Sequence, residues 1–187
     1  VVESAFNATM RGRYNRIVRI ERVENGYQHE THTVKARTIE RQIGAAYNAA
    51  TMRRTLFHGT RCRGDVVAKI INDPDAGFLP LKSGSRTGAK YGDGTYFARD
   101  ARYSDDYAST LPTGEKQMLA VDVVVGRWAR GRKGMNECPY VDGERYVRHN
   151  CLVNDVADPT IFVIQHSSQA YPAHLITYAQ GGEDAIC

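Results

Sequence analysis

Two short blocks constrain this chain more than any other part of it: Phe57-His58-Gly59-Thr60 and Tyr91-Gly92-Asp93-Gly94-Thr95-Tyr96-Phe97-Ala98. The first follows Arg54, Thr55 and Leu56, and reads as a short strand ending in an imidazole and a residue without a Cβ. The second reads as a glycine-rich turn, with Asp93-Gly94 at its tip, feeding a strand over 95–98 that carries Tyr96. A fold that accommodates both has two strand ends at the mouth of a cleft.

The rest of the chain supplies helices early and strands late. Val1, Val2, Ala5 and Phe6 share one helical face, and that helix stops near Gly12. Residues 16–23 alternate as a strand and close on Glu24-Asn25-Gly26. Residues 27–51 have no proline and space Val34, Ile39, Ile43 and Tyr47 as a helix. From Asp65 onward Val66, Val67, Ile70 and Ile71 form an amphipathic helix, stopped by Asn72-Asp73-Pro74. Residues 74–90 hold five Gly and Pro and show no period; a loop of this length in a compact domain lines or covers a site. Asp100 is placed to cap a helix over 100–108, and strands follow at 117–127, 160–165 and 174–178. Strands separated by irregular loops, with helices mostly early, make this an α+β domain.

At 187 residues the chain suits one domain, 1–187. Its start at Val1 reads as the edge of a piece excised from something longer. No apolar run is long enough to span a bilayer and no signal-peptide pattern opens the chain. Net charge is +4, but residues 1–63 hold 12 Lys and Arg against five acids, while the remainder is net negative. A basic first third attracts phosphate, nucleic acid or an acidic protein, or is simply a solvated face. The four cysteines, Cys62, Cys138, Cys151 and Cys187, have no metal-site spacing, so no metal is expected. Free thiols fit a reducing, intracellular setting, cytoplasmic or nuclear.

His58 offers an imidazole able to donate to or accept from a sugar hydroxyl. Gly59 leaves a backbone edge open to a flat amide, and Tyr96 and Tyr107 can wall a planar ring. Ser104, one helical turn before Tyr107, reaches the same wall. Each residue also has an ordinary structural reading: a histidine satisfied at a strand end, a hairpin glycine, a core tyrosine. A dinucleotide or P-loop glycine pattern is absent. By spacing alone the function stays open.

A longer set of blocks narrows it. Ala5-Phe6-Asn7-Ala8-Thr9-Met10, Ile20-Glu21-Arg22-Val23-Glu24-Asn25, Leu56-Phe57-His58-Gly59-Thr60, Ala76-Gly77-Phe78, the 91–98 block, Tyr103-Ser104 and Gln169-Ala170-Tyr171-Pro172-Ala173-His174-Leu175-Ile176-Thr177 occur in order along nearly the whole chain. Together they resemble the catalytic domain of the poly(ADP-ribose) polymerase superfamily. The likeness is to its macrodomain-bearing, mono-ADP-ribosyltransferase branch.

The resemblance implies the diphtheria-toxin-like ADP-ribosyltransferase fold, a split β-sandwich of two antiparallel-rich sheets with flanking helices and a NAD cleft between them. It implies that NAD is the co-substrate, bound by His58, Gly59, Tyr96, Ala98, Ser104 and Tyr107. The catalytic set is His58, Tyr96 and Ile161. Chain-building members place a Glu where counting back from Leu175 finds Ile161. An aliphatic side chain cannot orient or deprotonate the hydroxyl of an existing ADP-ribose, so single transfers to protein side chains are expected. Phe78 to residue 90 would be the loop over the donor. Leu79-Pro80-Leu81 stands where relatives carry an Arg, and Asp93 where they carry a Lys; both touch donor affinity. The implied partners are NAD and protein acceptors, with nucleic acid on the basic first third, no membrane and a monomeric state. The alternatives are an inactive NAD-binding module and a transferase acting on nucleic-acid ends.

Overall fold

The computed structural model describes residues 2–60, 66–73, 77–78 and 89–180. Pro80, most of the loop over 74–90, and Cys62 and Cys187 lie outside the described residues.

In chain order the elements are α1 (Val2–Met10), β1 (Tyr14–Arg22), α2 (Gly26–Ile43), α3 (Ala49–Met52), β2 (Arg53–His58), α4 (Val66–Asn72), β3 (Thr95–Ala98), α5 (Ala101–Asp105), β4 (Ser109–Thr110), β5 (Glu115–Val124), β6 (Trp128–Arg130), β7 (Cys151–Val153), β8 (Ile161–Ile164) and β9 (Ala170–Gln180). The helix expected over 27–51 is interrupted. Gly44, at φ 63°, ends α2, a short 3-10 turn follows, and Asn48 then caps α3 through Ala50 N. The helix after Asp100 is a single turn. Asp100 occupies its N-cap position without a side-chain cap bond; the Thr9 hydroxyl of α1 accepts from Ala101 N instead, at 3.0 Å.

The strands run β1-β9-β5-β2-β3-β8-β7-β6, with β4 added beside β5. Among the described pairs only β6 with β7 is parallel. One hydrogen-bonded path joins all of them, but it narrows sharply at one place. β2 pairs with β5 over six residues, Arg53 to His58, whereas β2 meets β3 through the single pair Phe57–Ala98. The two sheets of the expected split sandwich are therefore the halves β1-β9-β5-β2 and β3-β8-β7-β6, hinged on one pair.

The interior strand β5 shows why both faces are covered. Leu119, Val121 and Val123 enter one apolar cluster with Leu56, Phe78, Phe97, Phe162 and α4's Val67 and Ile70. Met118 and Ala120 point the other way, into Phe6 and Met10 of α1, Phe57, Ala101, Ile176 and Tyr178. α2 packs Ala36, Ile39 and Ile43 against Val124 at the end of the sheet. His58 and Tyr96, two of the candidate residues, lie where β2 and β3 part.

Candidate active site at the seam between β2 and β3

Beyond Phe57–Ala98 the ladder between β2 and β3 stops, and a side chain takes over. Nδ1 of His58 lies 2.8 Å from the carbonyl oxygen of Tyr96. A carbonyl only accepts, so Nδ1 carries the proton and Nε2 keeps its lone pair. The ring stands edge-on to Phe78, centroids 5.2 Å apart, and tilted against Phe97 at 5.4 Å. Burial pushes its pKa down, opposed by the bond to Tyr96. His58 is thus a neutral imidazole of fixed tautomer at physiological pH, half-buried rather than sealed.

Gly59 continues β2 straight into the turn that follows α5. A Cβ there would run into the Ser104 carbonyl oxygen, and would sit 2.8 Å from Ala108 N and 2.9 Å from Tyr107 C. Glycine is required by this close packing of backbone on backbone, which lets α5 form one wall beside His58. Ser104 is buried and its hydroxyl donates to the Phe57 carbonyl at 3.0 Å, leaving its oxygen lone pairs to accept. Tyr107 N bonds Ser104 O, which closes the turn.

Tyr96 is held at its far end. Its hydroxyl donates to Gly92 O at 2.7 Å and accepts from Tyr91 N at 3.0 Å. The ring packs with Tyr91 and Met135 against Cys138, Leu152 and Val163. Burial raises its pKa. Gly94 permits this turn: at φ 152°, a Cβ would strike the Ile164 carbonyl oxygen. The structure joins His58 to Tyr96 through the main chain, not ring to ring.

Ile161 begins β8 and lies opposite Ala98. Because Ala98 also pairs Phe57, one row crosses the seam as Phe57–Ala98–Ile161. Alternation puts Ala98 and Ile161 on the Tyr96 face of the sheet. Ile161 is 5% exposed and Ala98 1%, and Asn154 Oδ1 accepts from Ile161 N at 2.8 Å.

Residues 1–180 match the sequence model of the poly(ADP-ribose) polymerase catalytic domain. The chain belongs to that family. It is 30% identical over 178 residues to protein mono-ADP-ribosyltransferase PARP12 of Mus musculus, covering 95% of this chain and 23% of the relative. Against protein mono-ADP-ribosyltransferase PARP14 of Homo sapiens it is 32% identical over 180 residues, 95% of this chain and 9% of the relative. Against protein mono-ADP-ribosyltransferase PARP11 of Mus musculus it is 30% identical over 196 residues, 95% of this chain and 56% of the relative. The chain spans about a quarter or less of the length of the first of these relatives.

Within this poly(ADP-ribose) polymerase catalytic domain the sequence reading gave no site role to Tyr103 or Tyr91. The Tyr103 ring lies 5.6 Å from that of Tyr107. Its phenol is pushed up to about 12 by burial first, then by its hydrogen bond to Tyr107 and by Tyr91 and Tyr96 nearby. Four tyrosines therefore gather at this end of the seam. The spacing of Tyr103 from Tyr107, four positions apart across the end of α5, is the signal that would have found Tyr103. Among the described residues no group of three His, Cys, Asp or Glu is placed to hold a metal ion. Cys138 and Cys151 are free and buried, their thiols pushed up by burial.

Proposed function

We propose that this domain transfers single ADP-ribose units from NAD to protein side chains and releases nicotinamide. The observation that carries the reading is the seam itself: a neutral imidazole of fixed tautomer beside Gly59, Ser104 and a group of tyrosines, next to the row Phe57–Ala98–Ile161 that ends in an aliphatic side chain.

The chemistry needs positioning more than acid–base work. When the bond between nicotinamide and ribose breaks, its electron pair goes to the ring nitrogen, so a cationic ring departs neutral and the sugar becomes oxocarbenium-like. Nε2 of His58 accepts from a ribose hydroxyl and fixes the sugar. The backbone at Gly59 and the acceptor lone pairs of Ser104 take the carboxamide. Tyr107 and Tyr96 bound the ring, a contact worth about 0.5–1.5 kcal/mol beyond burial. An acceptor oxygen or nitrogen then forms its bond to the anomeric carbon and gives up its proton to solvent or to a base of its own protein. Orientation of this kind supplies up to about 7–11 kcal/mol of a barrier. Extending a chain needs a carboxylate to orient the hydroxyl of the ADP-ribose already attached; Ile161 has none, which supports single transfers.

An intracellular setting, cytoplasmic or nuclear, goes with this reading and is supported by the free thiols Cys138 and Cys151.

The test is incubation of the purified chain with labelled NAD and a protein lysate, beside an arm with 5′-phosphorylated RNA. Label on protein, one unit per site, is expected. Binding of NAD without transfer would favour the inactive module, and label on RNA alone would favour the nucleic-acid transferase.

A further inference from the structure

Behind the wall that carries Ser104 and Tyr107 lies a buried ion pair. Asp105, the last residue of α5, is 4% exposed, Lys116 9% and Tyr178 0%. Its Oδ1 accepts from the Tyr178 hydroxyl at 2.7 Å and from Lys116 Nζ at 2.9 Å. Lys116 Nζ also reaches the Asp105 main-chain oxygen at 3.3 Å, and Arg13 Nη1 stands 3.8 Å from Oδ2. Lys116 and Tyr178 are direct cross-strand partners on β5 and β9. They therefore project from one face of the sheet as two prongs closing on a single carboxylate.

A buried ion pair is a poor device for stability, since apolar residues of the same shape often do as well or better. It is a good device for fixing a position, because carboxylate, ammonium and hydroxyl have directional needs that only one arrangement meets. α5 needs such fixing. It is one turn of five residues, too short to hold its own shape. On its other side Ser104 and the Tyr107–Ala108 backbone rest on Gly59 with no room to spare.

We propose that Asp105, Lys116 and Tyr178 are positioning residues for the nicotinamide side of the donor site. They clamp the end of α5 to two adjacent strands, and so set the Ser104 hydroxyl and the Tyr107 ring against the end of β2. The inference rests on the donor-site reading above and extends it to residues that do not touch NAD.

The test compares wild type with Tyr178→Phe, which removes one hydrogen bond but keeps the ring in its aromatic contacts with Phe6 and Tyr14. Asp105→Asn with Lys116→Met, which removes both charges together, is the second variant. Affinities are measured for benzamide, a flat ring bearing a carboxamide, and for ADP-ribose, which lacks that ring, together with the melting temperature. Benzamide affinity is expected to fall about three- to tenfold in Tyr178→Phe, the loss of one well-placed hydrogen bond, and at least as far in the double variant. ADP-ribose affinity is expected to stay within about twofold. KM for NAD should rise with benzamide Kd even where the melting temperature does not move. Unchanged benzamide affinity in both variants, or equal weakening of both ligands, overturns the clamp. Wild type that binds neither ligand overturns the donor-site reading beneath it, a result separable from wild type that binds and variants that bind as well.

Discussion

The imidazole of His58 stands in for a missing rung of the sheet: its Nδ1 donates to the Tyr96 main-chain oxygen, 2.8 Å away, where β2 and β3 have ceased to pair. The bond satisfies a carbonyl that the parting strands would leave exposed in the cleft. It also decides which ring nitrogen faces outward.

That geometry separates two roles of one side chain. His58→Asn can place its amide nitrogen near Nδ1 and keep the bond to Tyr96, but has nothing at Nε2. The expected outcome is a folded protein with transfer reduced at least about a hundredfold, as for a lost positioning contact at a reacting centre. Initial rates with labelled NAD and the melting temperature check the two halves.

The pH dependence follows in sign from burial. His58 has a folded-state pKa below the usual imidazole value of 6.5, so the ring stays neutral as pH drops past that value. Transfer governed by His58 should hold to lower pH than an ordinary histidine allows, and fall only as pH passes through the depressed folded pKa. Its contribution to stability is fully present above 6.5. That contribution is lost as pH falls from there toward the folded value, because only the unfolded chain takes up the proton. Melting curves of wild type against His58→Asn, from neutral to mildly acid pH, report the difference.

Gly59→Ala should disturb α5 more than β2. The new methyl meets backbone atoms of Ser104, Tyr107 and Ala108, which cannot swing away as a side chain can. Overpacking of this kind costs about 1–3 kcal/mol. Benzamide affinity should fall along with the melting temperature; a variant that binds benzamide as wild type does would show that α5 is not the ring's wall.

Ile161→Glu is not expected to create chain growth. The position is 5% exposed, opposite Ala98, and a polar group placed there without partners costs about 1–3 kcal/mol. The carboxyl would answer by taking a proton, which leaves it a poor acceptor for an incoming hydroxyl. Gel analysis of labelled product should still show discrete bands, with lower melting temperature.

Local signals carried most of the fold. The strand ending at His58, the turn at Asp93-Gly94 and the strand bearing Tyr96 were legible because glycine placement and alternation act within a few residues. What escaped depends on distant partners. The interruption at Gly44 lies inside an Ala-rich stretch, and the helix-favouring alanines around Gly44 and Asn48 masked those two stop signals. The first turn of α5 is capped by Thr9, 92 residues away, so Asp100 looked sufficient. β6 and β7 are three residues each and pair in parallel across a long connection, too short for any period to show. The clamp on Asp105 joins residues 11 and 73 positions away, and nothing near Asp105 announces it. Ile161 could be counted back along the chain from Leu175 because the family resemblance carries that spacing; its place in the row with Phe57 needed the seam.

The most direct test of the account is mass spectrometry of protein modified by the purified chain with NAD, run beside His58→Asn. The account predicts modified peptides carrying one ADP-ribose each in the wild-type reaction, free nicotinamide in equal amount, and none of either from the variant. Peptides bearing two or more linked units, or equal modification by the variant, would contradict it.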